Sequence, residues 1–138
     1  MNRVMKILAI IEKSKDGLYS SYSEDSIGNS FFGGFGESVN EVKEDFVSSV
    51  KEALEEQSRE GNPVPSFEDI EIEYRYDIPS FFNFFDFINV SKFADFAGIN
   101  ESKMRAYKSG SAYPGEKTTG KIMRAIKAIG SELMMASL

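Results

Sequence analysis

The sequence predicts an α+β fold class: a small βββαβ sheet-plus-helix domain followed by an all-α domain of five helices. Apolar and charged residues alternate from 70 to 78, which is typical of a strand with one buried face. Residues 39–57 carry apolar side chains at the spacing of an amphipathic helix. Beyond Pro79 every segment has helical spacing, so we expect domains at 1–78 and 79–138.

Three short strands are expected before the long helix. Residues 5–13 are apolar on both faces, which favours a central strand. Asp16 and Gly17 then supply a hairpin turn, because Asp tolerates the left-handed region and Gly adopts positive φ freely. The chain returns through residues 18–23 and, after a loop, through a third strand at 31–36. We therefore expect an antiparallel meander.

The long helix has a recognisable start. Ser38, followed three residues later by Glu41, forms a capping-box pattern, and acidic residues in the first turn complement the helix dipole. We expect this helix to cover one face of the sheet. The glycines of FFGGFG, residues 31–36, indicate a twisted strand and its turn more simply than a ligand-binding loop.

The second domain begins with an aromatic run. Residues 81–88 contain six apolar residues of eight and are expected to form its first helix, with the phenylalanines in its core. Ser91 and Asn100 are the expected N-caps of the second and third helices. Pro114 opens a fourth helix, which Gly130 breaks before a short fifth one.

The composition excludes several kinds of chemistry. The 138-residue chain contains no cysteine and no histidine, which excludes disulfides, Cys or His zinc sites, cysteine nucleophiles and histidine general bases. No window approaches the roughly 18 consecutive apolar residues of a membrane span, and the run at 7–11 is too short for an export signal. We therefore expect a cytoplasmic protein with no membrane partner.

Charge is divided unevenly along the chain. Residues 1–88 contain 8 Lys and Arg against 18 Asp and Glu, a net charge of −10, whereas residues 89–138 contain 8 against 4, a net charge of +4. An acidic part joined to a basic part predicts two partners of opposite charge. Double-stranded DNA suits the basic part, and a basic protein suits the acidic part.

Residues 91–110 have the spacing of a helix-turn-helix. Ala94 leaves room for close packing of two helices, and Gly98, four positions later, can take the positive φ that ends the first helix. In this motif the second helix enters the DNA major groove, and such proteins usually bind as dimers. We therefore expect a homodimer or a higher oligomer on operator DNA.

The second helix of the motif is expected to expose a polar face. Met104 and Tyr107 are spaced to face inward. Arg105 suits a bidentate contact to guanine, and Ala106 suits an apolar contact to a thymine methyl. Four lysines would neutralise phosphates and make binding salt-dependent, namely Lys103, Lys108, Lys117 and Lys121. The candidate DNA-binding residues are Ser91, Asn100, Glu101, Ser102, Lys103, Arg105, Ala106, Lys108 and Lys117.

The helical domain has two other interpretations. One is a small domain with a solvated charged face, and the other is a protein-interaction or dimerisation module that does not bind DNA. Glu101 favours these alternatives, because its negative charge opposes DNA unless it accepts a hydrogen bond from cytosine.

Two further patterns resemble catalytic or ligand sites. Residues 115–121 satisfy the phosphate-loop pattern GxxxxGK, but Ile122 stands where a Mg²⁺-binding hydroxyl is needed, so we interpret them as a lysine-rich helix start. Arg75 lies among Glu71, Glu73 and Asp77, which indicates a solvated or protein-binding outer face more than a metal site. A nuclease site would need carboxylates to converge on two metals, and the candidates are Glu12, Glu41 and Glu44.

Two patterns occur in the order found in a known family. Residues 36–42, GESVNEV, are similar to a Gly-Asp-Thr-x-Glu-Glu-Ala helix entry, and Ala94, Gly98, Gly110 and Pro114 are similar to an A-x-x-x-G pattern followed by Gly-x-x-x-Pro. Together they resemble the HicB family of antitoxins, in the variety with a lambda-repressor-like (XRE-like) helix-turn-helix at its C-terminus. The resemblance covers nearly the whole chain.

The resemblance implies a division of labour. The N-terminal domain would be a partial ribonuclease-H-like sheet without catalysis that caps a small, basic RNA-cleaving toxin, and the C-terminal domain would dimerise and bind the operator of its own genes. It also implies no enzymatic activity, no cofactor and no metal. Residues 24–28, EDSIG, keep the aspartate and glycine of the family's Pro-Asp-x-Pro-Gly loop but neither proline. A stand-alone regulator on the antitoxin scaffold is therefore an alternative.

Overall fold

The computed structural model describes residues 5–138, so residues 1–4 of the predicted first domain lie outside the described part of the chain. Strands β1 to β4 are Met5–Lys13, Tyr19–Ser23, Gly33–Gly36 and Ile70–Tyr76. Helices α1 to α5 are Val39–Arg59, Ile78–Phe84, Val90–Ala97, Glu101–Ser109 and Glu116–Met135, and one 3-10 turn covers Phe67–Asp69. The predicted α+β class is confirmed. Among residues 5–138, no helix combines the length and the apolarity needed to cross a membrane.

The four strands form a single sheet in the order β3-β2-β1-β4. β1 pairs antiparallel with β2, and β2 pairs antiparallel with β3, which confirms the predicted meander. β4 pairs parallel with β1, from Met5 opposite Ile70 to Ile11 opposite Tyr76. β1 is therefore a central strand, as its two apolar faces predict.

Helix α1 covers one face of the sheet with its apolar stripe. Ile7 and Ala9 of β1 form a buried cluster with Phe46, Val50 and Leu54 of α1. Ile7 and Phe46 are fully buried, and burial of an apolar side chain of this size contributes about 1.5–3 kcal/mol to folding. This core fixes which face of the sheet is closed by the helix.

Local chemistry at the ends of α1 and β1 agrees with the sequence prediction. The Ser38 hydroxyl accepts a hydrogen bond from the Glu41 N–H at 3.2 Å, and Glu41 Oε2 accepts one from the Glu37 N–H at 2.7 Å. Gly17 has φ 87° in the turn between β1 and β2. The hairpin turn and the Ser38 half of the capping box are therefore formed, whereas the Glu41 carboxylate accepts from the residue before the N-cap instead of from the N-cap itself.

Strand β3 lies very close to the backbone of α1. A Cβ atom on Gly34 would lie 2.8 Å from the Val42 carbonyl oxygen and 2.9 Å from the Phe46 nitrogen. Cβ atoms in proteins do not approach backbone atoms so closely, so a glycine is required at this crossing. Gly34 thus sets how near the helix can come to the sheet.

The chain divides into two compact units after Phe84, and the second unit is Phe85–Leu138. The sequence predicts the domain boundary after residue 78. In the structure, α2 belongs to the first unit instead of beginning the second. Asn83 accepts a hydrogen bond from the Val39 N–H at 2.9 Å, and Phe84 packs on a buried cluster that includes Val39. Residues 85–87 form a turn, so the helix expected over 81–88 has different bounds.

Asp77 connects the end of β4 to the start of α2. Its Oδ2 accepts a hydrogen bond from the Lys13 N–H at 2.8 Å, and its Oδ1 accepts one from the Ser80 N–H at 2.9 Å. The carboxylate therefore caps a helix and fastens the end of β1. The prediction that Asp77 belongs to the solvated row of Glu71 and Glu73 is wrong.

The C-terminal part of the chain contains fewer helices than the sequence predicts. From Ile78 to Leu138, all described, the structure has four helices, α2 to α5, where five were expected, and the last three of these lie in the second unit. Helix α5 begins at Glu116, behind a Gly115 N-cap, and continues through Gly130. One internal glycine costs a helix only about 1 kcal/mol, and good helix formers surround this one, so it does not end α5.

The caps of α3 and α4 are two asparagines. Asn89 Oδ1 accepts a hydrogen bond from the Lys92 N–H at 2.9 Å, so the prediction of Ser91 as the N-cap of α3 is wrong. Asn100 Oδ1 accepts one from the Lys103 N–H at 3.1 Å, so the predicted cap of α4 is confirmed.

Candidate nucleic-acid interface

The turn between α3 and α4 is closed by a glycine. Gly98 lies in the left-handed region with φ 72° and ψ 37°. The Ile99 N–H donates to the Ala94 carbonyl oxygen at 2.9 Å, which closes the last turn of α3. Ala94 is fully buried. The pair that the sequence singles out, Ala94 and Gly98, therefore has the predicted roles in packing and chain reversal.

Helix α4 has a buried face and an exposed polar face. Met104 is completely buried, and Tyr107 is half-buried. The exposed side chains of α4 are Ser102, Lys103, Arg105, Lys108 and Ser109. Side chains on this face are free to contact a macromolecular partner, whereas Met104 anchors the helix in its unit.

Arg105, Glu101 and Ser91 form one connected group. Arg105 Nη2 makes an ion pair with Glu101 Oε1, and the Ser91 hydroxyl donates a hydrogen bond to the same carboxylate oxygen. The side chains of Arg105 and Glu101 are 57% and 42% exposed, so the pair lies at the surface. A Glu placed four residues before an Arg is a favourable helix pair, and this spacing was readable in the sequence.

Two candidate residues have structural tasks in α4. The Asn100 side-chain oxygen caps the helix, which leaves its NH₂ group as the remaining donor. Ala106 is half-buried, and its carbonyl oxygen accepts hydrogen bonds from the Gly110 N–H at 3.1 Å and the Ser111 N–H at 3.0 Å. Gly110 has φ 84°, so this end of α4 is also closed by a left-handed glycine.

Helix α5 adds basic side chains beside the turn. Lys117 is exposed in its first turn. Lys121 and Arg124 line a groove with Phe96 and Gly98 at the end of α3. Cations at this position complement the negative end of the α3 dipole. Arg124 was not among the predicted residues, because only the packing of α5 against α3 brings it to the turn.

Comparison with protein-family models, with curated proteins and with solved structures finds no match.

The phosphate-loop pattern at residues 115–121 lies in a helix. Gly115 is the N-cap of α5, and the Thr119 hydroxyl donates to the Gly115 carbonyl oxygen at 2.9 Å. A phosphate loop needs a strand before it, and the second unit consists of helices and their connections. The interpretation as a lysine-rich helix start agrees with this placement.

The carboxylates considered as candidates for a metal or nuclease site do not form a metal-binding cluster. Across residues 5–138, no three acidic side chains gather at the separation a metal ion needs. Glu41 is engaged at the start of α1, where it accepts from the Glu37 N–H. Glu71 and Glu73 are exposed on the outer face of β4 with Arg75, as strand alternation predicts.

Lys43 of the first unit lies among three aromatic rings, a setting that the sequence did not predict. Lys43 Nζ lies 3.3 Å from the ring centroid of Phe84, 4.2 Å from that of Tyr74 and 5.0 Å from that of Tyr76. Burial lowers the pKa of Lys43 to about 8. These rings lie far from Lys43 in the chain, so no local spacing indicates the cluster.

Proposed function

We propose that this protein is a sequence-specific DNA-binding transcriptional regulator of the HicB antitoxin type, and that α4 enters the major groove of its operator. The observation that carries the proposal is the arrangement of α4, with Met104 buried behind it and Ser102, Lys103 and Arg105 exposed in front of a glycine-closed turn. In helix-turn-helix proteins, side chains of this kind contact base edges and phosphates.

The ion pair on α4 supports a base-reading role for Arg105. A guanidinium group has five N–H donors, and Glu101 occupies one side of it. The remaining donors suit the O6 and N7 acceptors of guanine, while the pair restricts the rotamers of Arg105. Since Glu101 is paired with Arg105 and accepts from Ser91, its charge opposes DNA less than a lone carboxylate would.

The acidic part of the chain supports the second half of the proposal. Residues 1–88 carry a net charge of −10, which suits a basic protein partner. We take this partner to be a small basic toxin of the kind the family resemblance implies. The protein would then act in the cytoplasm, as a homodimer or a higher oligomer and without enzymatic activity.

Salt dependence of DNA binding tests the proposal. Fluorescence anisotropy with genomic DNA fragments measures the binding constant at several salt concentrations. A plot of its logarithm against the logarithm of salt concentration should have a negative slope of about 0.9 for each phosphate that the protein neutralises. Lys108→Ala should reduce this slope by about one, because it removes one phosphate contact. Lys15→Ala, which removes an exposed lysine of the β1–β2 turn, is the matched control and should leave the slope unchanged. A binding curve that is flat from low to moderate salt would contradict the proposal.

One observation favours the alternative of a protein-interaction or dimerisation module. The C-terminal end of α5 exposes apolar side chains: Leu133 is 64% exposed, Met134 89% and Met135 81%. Surfaces of this kind are typical of protein contacts. This alternative is preferred if no genomic fragment binds while the protein forms a stable complex with another protein.

A further inference from the structure

Among the described residues, 5–138, strand β4 forms one edge of the sheet, and its outer side has no strand neighbour. The sheet order ends at β4, whose other side pairs with β1. The Asp77 N–H donates to the Ile11 carbonyl oxygen at 3.0 Å, so odd-numbered residues in this stretch direct their backbone groups toward β1. Backbone groups alternate in direction along a strand, so those of Ile72 and Tyr74 point to the open edge.

Apart from its charged side chains, this edge lacks the features that usually prevent strands from pairing between molecules. Ile70–Tyr76 contains no proline and no lysine, and its register with β1 runs without a bulge through all seven residues. The opposite edge is different, because β3 has only four residues and three of them are glycines. A regular edge strand of this length is a template for another strand whose charges complement its own.

The charges on β4 indicate what that other strand is. The side chains that β4 places on the outer face of the sheet are Glu71, Glu73 and Arg75, and all three are exposed. A row of one sign would repel a second copy, but this row is mixed. In an antiparallel pair centred on Tyr74, Glu73 lies opposite Arg75 of a second copy, and this contact occurs twice because of the twofold axis.

We propose that β4 pairs antiparallel with β4 of a second copy, centred on Tyr74, to join two four-stranded sheets into one of eight strands. The Glu73–Arg75 contacts fall at positions whose backbone groups point away from the new partner, where opposing Cα atoms are about 4.5 Å apart and side chains are closest. A register centred on Glu73 would place two Glu73 carboxylates at that short distance, which is unfavourable. This interface goes beyond the proposed DNA binding and does not depend on it.

Charge reversal tests the pairing in the full-length protein. Either Glu73→Arg or Arg75→Glu alone places like charges opposite each other at two positions of the pair. Sedimentation equilibrium should therefore show an association constant about tenfold lower than that of the wild type. The double variant E73R/R75E exchanges the two charges and should return association to about the wild-type level. Glu52→Arg, an equal charge change at an exposed position of α1, is the matched control. If the double variant associates no better than the single ones, the proposal is overturned.

Disulfide formation tests the register, because the chain contains no cysteine of its own. Chains with Glu73→Cys and chains with Arg75→Cys, distinguished by a tag and mixed, should form a mixed disulfide dimer much faster than either chain forms a disulfide with itself. Three outcomes would overturn the proposal. In the first, Glu73→Cys chains cross-link mainly with each other; in the second, no cross-links form. In the third, a strand of a different protein is found paired with β4. Because only β4 is altered, failure here leaves the salt-dependence test of DNA binding unaffected.

Discussion

Gly34 lies where the backbone of α1 comes closest to β3, and its single hydrogen side chain is the reason that this approach is possible. We expect Gly34→Ala to destabilise the first unit by about 1–3 kcal/mol, because the new methyl group would displace the backbone at Val42 and Phe46. Urea unfolding followed by circular dichroism measures the change.

Gly130→Ala is the contrasting control. Apart from its chain neighbours and the nearby backbone of its own helix, no atom lies within 4 Å of a Cβ placed on Gly130, so this change should stabilise its unit by about 0.5–1 kcal/mol. If both alanine variants unfold at the wild-type urea concentration, the close approach at Gly34 does not limit packing.

Lys43 gives the first unit a pH dependence in the alkaline range. Its pKa is lowered by burial to about 8 in the folded protein, so between about pH 8 and pH 10 the unfolded chain binds more protons than the folded one. Stability should therefore rise with pH across this window. We expect a gain of about 1 kcal/mol relative to a Lys43→Met variant, a small value because solvent screens a partly exposed group.

Comparison of the two pH profiles isolates the contribution of Lys43. Burial raises the pKa of Tyr76 to about 12, so above about pH 10 the folded protein binds more protons and stability falls again in both proteins. Lys51→Met is the control, because Lys51 Nζ also lies over a ring, 4.8 Å from the centroid of Phe67. Equal slopes for wild type and Lys43→Met between pH 8 and pH 10 would contradict the assignment.

At the scale of elements, periodic segments were predictable from the sequence and ambiguous ones were not. Strand β4 and α1 follow from clear alternation and helical spacing, and α4 was recognised from Met104, Asn100 and the glycines around it. Helix α2 was assigned to the other unit, because a run of phenylalanines does not reveal which core it enters. The role of Asp77 and the rings around Lys43 depend on contacts between residues far apart in the chain, and local sequence patterns do not indicate such contacts.

The α4 surface gives a prediction that separates base reading from phosphate binding. If Arg105 reads a guanine, Arg105→Ala should lower affinity for the preferred fragment by about 1–3 kcal/mol and flatten the preference among fragments. Lys103→Ala should weaken all fragments about equally, since a phosphate contact carries no sequence information. Competition binding with sequence-shuffled fragments measures both effects. An unchanged preference in Arg105→Ala would remove this residue from the reading surface.

For the whole molecule, the separation of charge matters more than the total. A net charge of −6 and an isoelectric point near 4.8 would ordinarily disfavour DNA, yet residues 89–138 alone carry +4. At physiological ionic strength exposed charges are screened beyond about 8 Å, so a basic surface can act locally in an acidic protein. Glu101, the least expected residue on that surface, is paired with Arg105 within its own helix.

The hydrogen bond between Asn83 and the Val39 N–H defines how far the first unit extends. The first N–H groups of a helix have no partner inside it, and this one is satisfied by a side chain 44 positions further along the chain. A truncated protein that stops at residue 78 would keep every strand and yet lose this acceptor and the Phe84 ring above Lys43. The smallest fragment of the first unit that retains these contacts therefore ends at Phe84 or later, beyond the point where the sequence pattern changes from strand to helix.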